Sequence, residues 1–245
     1  MKIVLACSHV ITKNVTYNTA SILRTMEQCR GKAELVVFGE SMLQGFESLT
    51  WDYETDRGMA VSLDDPSIAQ IQNAAKQNHL AVSFGFIQKE ADALFSSQLV
   101  VDNNGEILHL FHRVSEGWKA YWQTDSHYRE GKKFQTFSYG GKTFSIALCG
   151  DLWTEGRPEE MMRLHPDAVL WPVWCDFEAH EWNETVKYEY ARQAALCGDR
   201  VLYVNPFCSD SFVSDVATGG AACFEKGQIS EELPAGKSGT MILEI

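Results

Sequence analysis

The chain has 245 residues, of which 45% are hydrophobic, 11% aromatic and 22% charged. That composition supplies a sizeable core and excludes a disordered tail, a collagen and a disulfide-stapled mini-protein. Lys plus Arg number 21 against 33 Asp plus Glu, a net charge of −12, and no stretch concentrates the cations that phosphate binding requires, so nucleic acid is not an expected partner. Gly131-Lys132-Lys133 reads as a solvated turn.

The length fits one α/β domain spanning residues 1–245, because such a fold can cover its sheets on both faces. Met1 to Val10 is a short β-branched run rather than a charged leader with a cleavage site. No apolar run reaches the roughly 18 residues of a membrane span; even Ala168-Val169-Leu170-Trp171-Pro172-Val173-Trp174 stops at Asp176. Seven cysteines, at positions 7, 29, 149, 175, 197, 208 and 223, are odd in number and never form Cys-x-x-Cys, which argues against a disulfide framework or a zinc knuckle. A cytoplasmic protein in a reducing compartment is the expectation.

In chain order, Lys2 to Cys7 and Glu34 to Phe38 read as strands flanking a helix marked by Ile22, Met26 and Cys29, with Gly31 as its stop. Asp65-Pro66 supplies an N-cap and a first-turn proline for a second helix, whose face is Ile68, Ile71 and Ala75; Leu80 to Ile87 is a strand. Residues 97 to 111 read as a hairpin closed by a tight Asn103-Asn104-Gly105 turn. Residues 112 to 133 lack a period and form a long ordered loop of the kind that often carries function. Thr143 to Cys149, Ala168 to Val173 and Val201 to Asn205 are strands, and a helix between the last two aligns Trp182, Val186, Tyr190 and Ala194. Ala221 to Ile245 contains two or three more strands. Such an order is satisfied by two packed sheets with helices outside.

Several chemical templates fail. Gly141-Lys142-Thr143 is not a phosphate loop, since the required earlier glycine would fall at Thr136, and Gly-x-Ser-x-Gly and His-Glu-x-x-His are absent. His109 and His112, three apart in a strand, point to opposite faces, so no metal site is expected there. Cys149 differs: it ends the strand 144–148 and is followed at once by Gly150 and Asp151, in the place where α/β sheets carry catalytic groups and where a glycine lets a backbone N–H approach an oxyanion. Glu40 holds the same kind of place after Leu35-Val36-Val37-Phe38-Gly39. A cysteine needs a base to become a thiolate, and a glutamate in a partly dry pocket can take that proton and return it to a leaving amine.

The ordered set Val37-Phe38-Gly39-Glu40, the hairpin ending in His112-Arg113, and Ile146-Ala147-Leu148-Cys149-Gly150-Asp151-Leu152-Trp153 resembles the nitrilase superfamily, the carbon–nitrogen hydrolases with a Glu-Lys-Cys set. Tyr128-Arg129-Glu130-Gly131, Trp171-Pro172, Trp182 with Tyr190-Ala191-Arg192-Gln193-Ala194, Val204-Asn205, Gly219-Gly220 and Lys226-Gly227 extend the resemblance over nearly the whole chain. It implies an αββα sandwich of two mixed sheets, a homodimer or larger assembly, no metal and no organic cofactor. It also implies Cys149 as nucleophile, Glu40 as base, and a lysine directly after Arg113, where this sequence has Val114. Lys119 is the expected substitute, with Lys132 and Lys133 behind it. Glu130 is the expected second glutamate and Glu116 its rival. Gly150, Trp174 and Cys175 are expected around the substrate. The implied chemistry is hydrolysis of a small amide through a Cys149 thioester, the alternatives being a nitrile-hydrolysing member, an acyltransferase, whose relatives carry membrane segments this chain lacks, and an inactive small-molecule-binding homologue.

Overall fold

The computed structural model describes residues 1–208, 210 and 215–245. The first half contains β1 (Lys2–Cys7), β2 (His9–Val10), α1 (Val15–Cys29), β3 (Leu35–Phe38), α2 (Tyr53–Met59), α3 (Pro66–Asn78), β4 (Ala81–Glu90), β5 (Ala93–Val101) and β6 (Ile107–His112). The second half contains β7 (Thr136–Tyr139), β8 (Lys142–Ile146), α4 (Arg157–Arg163), β9 (Ala168–Pro172), α5 (Ala179–Glu181), α6 (Lys187–Ala194), β10 (Arg200–Val204), β11 (Phe207–Cys208), β12 (Ala221–Glu225), β13 (Gln228–Leu233) and β14 (Gly239–Glu244).

These strands build two six-stranded mixed sheets, in the orders β14-β1-β3-β4-β5-β6 and β13-β12-β10-β9-β8-β7. Each sheet has a parallel centre, β1, β3 and β4 in one and β8, β9 and β10 in the other, with antiparallel strands at its margins. The alternation along β1 shows how the layers form. Ile3, Leu5 and Cys7 enter the core between the sheets, while Val4 and Ala6 face outward onto Ile22 and Met26 of α1. A strand covered on both faces can afford a continuous apolar run, and each buried Val, Leu or Ile contributes roughly 1.5–3 kcal/mol. Helices α1 and α3 cover one sheet and α6 covers the other, with Trp182, Tyr190 and Ala194 buried against it. The result is the expected helix–sheet–sheet–helix sandwich.

Local signals explain the helix starts. Asn14 accepts the Tyr17 N–H, and Asp65 accepts the Ser67 N–H ahead of Pro66, each satisfying a donor that the first turn leaves unpaired. The 97–111 hairpin exists, but its turn is longer than Asn-Asn-Gly: the Asp102 carboxylate accepts the N–H groups of Asn104 and Glu106. The helix carrying Trp182 is interrupted by a π-helical turn at Trp182–Val186 before α6 begins. The strand expected at 80–87 runs on to Glu90 and turns at Ala91 into β5. No helix among the described residues is long and apolar enough to cross a membrane.

Candidate active site

The carboxyl ends of the parallel strands of both sheets meet at one edge. Glu40 follows β3, Cys149 follows β8, Trp174 and Cys175 follow β9, and Asn205 follows β10. The Glu40 N–H donates to the Val173 carbonyl at 3.2 Å, tying one sheet to the other at this edge. Side chains at such strand ends are supported by rigid backbone and open toward a crevice.

Glu40 is fully buried. Its Oε1 accepts from Ser96 Oγ at 2.7 Å and from Arg113 Nη1 at 3.0 Å, whereas Oε2 has no hydrogen-bond partner among the described residues. One oxygen is thus anchored and the other carries no hydrogen bond among the described residues. Gly85 of β4 makes room for this arrangement, because a Cβ there would lie 2.4 Å from the Ser41 nitrogen and 2.7 Å from Glu40 Cα. Both neighbours are backbone and cannot swing aside. Gly85→Ala is therefore expected to lower stability by about 2–3 kcal/mol and to displace Glu40. A thermal melt with a parallel activity assay checks this; an unchanged melt would refute it.

Arg113, immediately after β6, is the cation beside Glu40. It is almost wholly buried, its Nε donates to Ser115 Oγ at 2.9 Å, and its Nη2 reaches the turn that carries Cys149, since a Cβ on Gly150 would stand only 2.8 Å from it. Burial works against its charge, but Glu40, Cys149 and Asp151 outweigh burial and hold the guanidinium protonated. Asp151 secures the segment: one oxygen accepts the Val114 and Ser115 N–H groups at 3.0 and 2.7 Å, the other the Leu148 N–H at 2.8 Å. It thereby joins the exit of β6 to the turn carrying Cys149. Burial pushes its pKa up to about 6 despite Arg113 and these amides.

Cys149 opens a 3₁₀ turn, Cys149–Trp153, with φ of +41°. A non-glycine residue in this region is strained by roughly 1–3 kcal/mol and persists where its surroundings over-determine it. Here Trp171 Nε1 donates to the Cys149 carbonyl at 2.8 Å. The thiol lies 3.7 Å from the Trp174 carbonyl, and the residue as a whole is half-buried. A hydrogen bond from Cys175 and the Arg113 cation hold its pKa below the ordinary thiol value, against the opposing effects of burial and Glu40. Burial pushes Cys7 and Cys197 up to about 12 and also raises Cys29, Cys208 and Cys223. Cys175 is raised as well, first by its bond to Cys149 and then by burial. A substoichiometric pulse of iodoacetamide at neutral pH is therefore expected to alkylate Cys149 ahead of the other six. Peptide mapping checks this, and equal labelling of several cysteines would refute it.

The structure places the other expected residues as follows. Lys119 donates to the Tyr128 carbonyl at 2.9 Å and pairs with Glu130; these two loop residues meet each other, while Arg113 takes the place beside Glu40. The reason is local, since the buried Trp118 packs against Trp51 and Tyr128 and draws Lys119 along with it. Glu116 is exposed and accepts from Tyr121, and Lys132 and Lys133 are exposed. Trp174 is buried, with Nε1 donating to the Asp215 carbonyl at 3.0 Å. Cys175 is clamped by Asn205, which accepts its N–H at 3.0 Å and donates to its carbonyl at 2.8 Å. Ser96, Ser115 and Asp151 were not singled out from sequence; Arg113 and Asp151 stand inside the motifs quoted above, whereas Ser96 carries no signal beyond its place in a strand. Among the described residues no group of three or more His, Cys, Asp or Glu is placed to hold a metal ion.

The family profile described as carbon-nitrogen hydrolase matches residues 6–245. Among curated proteins, an (R)-stereoselective amidase from Pseudomonas sp. is 22% identical over 157 residues, 64% of this chain and 54% of that protein. An aliphatic nitrilase from Rhodococcus rhodochrous is 28% identical over 100 residues, 37% of this chain and 27% of that protein. The chain thus matches about a quarter to a half of the length of such relatives. A structure of a variant of the amidase from Nesterenkonia sp. AN1, showing Michael addition of acrylamide at that protein's active-site cysteine, superposes with a TM-score of 0.76 at 14% identity, covering 100% of this chain and 93% of the other.

Proposed function

Because the chain belongs to the carbon–nitrogen hydrolase family, we propose that it hydrolyses the carbon–nitrogen bond of a small amide through a thioester on Cys149. The single observation that carries this reading is the buried cluster in which Glu40, Arg113 and the thiol of Cys149 converge at the joint of the two sheets. Glu40, through its unpartnered Oε2, takes the proton of Cys149. The thiolate attacks the carbonyl carbon, and negative charge develops on the carbonyl oxygen. Arg113 is assigned the role expected of Lys119, holding that oxygen together with the Gly150 N–H, because fixed donors in a buried site need little reorganisation when charge appears. Glu40 then passes its proton to the departing amine. Water, deprotonated in turn by Glu40, splits the thioester and releases the acid. Lys119 and Glu130 are assigned to ordering the loop that follows Arg113.

Two points favour amide over nitrile. The amidase relative aligns over a longer part of this chain than the nitrilase does, and the amidase from Nesterenkonia shares the fold end to end and reacts at a cysteine. A surface cleft of about 600 Å³ is lined by Val114, Glu116, Tyr121, Thr154, Arg157 and Glu160, with none of Glu40, Arg113 and Cys149 in its wall.

The test is a panel of small primary amides and the matching nitriles, followed by ammonia and acid release, with acid-quenched intact mass for an acyl adduct. Acid and ammonia from amides, with the adduct on Cys149, is the expected result. Turnover of nitriles alone would replace the amide reading. No product and no adduct from any compound would point to a binding protein.

A further inference from the structure

The hydrolytic cycle uses Cys149 but gives no work to Cys175, the residue next after the Trp174 carbonyl that the Cys149 thiol meets at 3.7 Å. The two lie just beyond the ends of neighbouring parallel strands, β8 and β9, which are in register at Ile146 and Leu170. Their settings are opposite. Cys149 is partly exposed on a strained turn, whereas Cys175 is buried, its backbone gripped by Asn205 and its sulfur 3.2 Å from the Tyr190 hydroxyl. An oxidant therefore meets Cys149 first, and the neighbour that the resulting species meets first is Cys175. Redox-sensing cysteines are typically accessible, low in pKa and poised next to a resolving cysteine.

We propose that Cys175 is a resolving thiol, which captures Cys149 in a reversible intramolecular disulfide when the nucleophile is oxidised by hydrogen peroxide. This deepens the hydrolase reading and rests on Cys149 being the reactive group of the site. In the first step the Cys149 thiolate attacks one peroxide oxygen; an S–O bond forms, the O–O bond breaks, and the departing hydroxide leaves as water with the proton the thiol gave up. In the second, the Cys175 sulfur attacks the sulfenic sulfur; the S–S bond forms, the S–O bond breaks, and hydroxide leaves as water with the Cys175 proton. Both thiols are oxidised by one peroxide, which is reduced to two waters. The Tyr190 hydroxyl, already bonded to Cys175, is placed to relay that proton. The disulfide silences the site while keeping Cys149 from the irreversible sulfinic and sulfonic states, and a dithiol returns it to service.

The full-length wild-type protein is treated with near-stoichiometric hydrogen peroxide, quenched with catalase, alkylated and mapped. Trypsin cleavage after Arg163 puts the two cysteines in different peptides. The expected product is about 2 Da lighter before alkylation, carries a 149–175 cross-linked peptide, and shows a roughly tenfold fall in Cys149 labelling that dithiothreitol reverses. Cys175→Ser is expected to divert Cys149 to products about 32 or 48 Da heavier that dithiothreitol does not reverse. Those heavier products in the wild type with Cys175 free, a disulfide between other cysteines, or an unoxidised Cys149 would each overturn the inference, and none depends on the variant folding. Amide turnover measured on the same untreated sample separates the two readings. Turnover without the disulfide sinks this inference alone, and the disulfide without turnover sinks the hydrolase reading while leaving the thiol pair standing.

Discussion

Cys149→Ala is expected to lower kcat/KM for amide hydrolysis by about 10⁴-fold or more, since losing a nucleophile removes the covalent route and leaves only what binding and the oxyanion donors supply. The fold should survive. The residue is half-buried, its side-chain hydrogen bonds are those of a thiol, and the strain at φ +41° is the same for alanine, so stability should move by no more than about 1 kcal/mol. Steady-state kinetics and a thermal melt on the same preparation check both halves. Activity within about tenfold of wild type would remove Cys149 from the mechanism and the thioester with it.

The second large effect is expected at Arg113. Arg113→Ala leaves the fully buried Glu40 without the cation it meets at 3.0 Å, and breaking a buried pair from one side costs about 3–5 kcal/mol. Turnover should fall by about 10²–10³-fold, the usual size for a lost oxyanion donor. Arg113→Lys separates charge from shape. An ammonium can meet Glu40, but it cannot also make the Nε bond to Ser115 and reach Gly150, so it should recover more stability than activity. The double variant Arg113→Met with Glu40→Gln should regain part of the stability and none of the turnover. Chemical denaturation paired with kinetics decides it, and full activity in Arg113→Ala would end the assignment.

The strand-end groups are readable in the sequence for a simple reason. An apolar run followed at once by a lone polar residue, as at Phe38-Gly39-Glu40 and Leu148-Cys149-Gly150, marks where a parallel strand stops and its crevice begins. The sandwich is readable because strands such as β1 and β9 are apolar on both faces. The cation is harder. Arg113 stands in the motif, but the family pattern points to a lysine after it, and the first lysine that follows is Lys119. Alternation offers no remedy, because β5 and β6 shift register between Val100 and Val101, and a bulge reverses which side later residues face. Lys119 sits in a stretch without a period, where only the burial of Trp118 decides which way it goes. Asp151 is invisible for a different reason: its partners are backbone N–H groups of residues 114, 115 and 148, and backbone groups leave no trace in a sequence.

The site is divided between two sheets that share no strand. Glu40 and Arg113 come from the first half of the chain and Cys149 and Cys175 from the second, and the bond from Glu40 N to Val173 O closes the seam. Neither sheet alone holds Glu40, Arg113 and Cys149 together. The environment that lowers the Cys149 pKa is therefore expected to form late in refolding, after the hairpins and helices are in place, because it waits on contacts distant along the chain, whose closure is slow. A quenched pulse of a thiol reagent during refolding would then act as a clock for the docking of the halves: far-ultraviolet dichroism should recover first, and the neutral-pH reactivity of one cysteine only when the seam shuts.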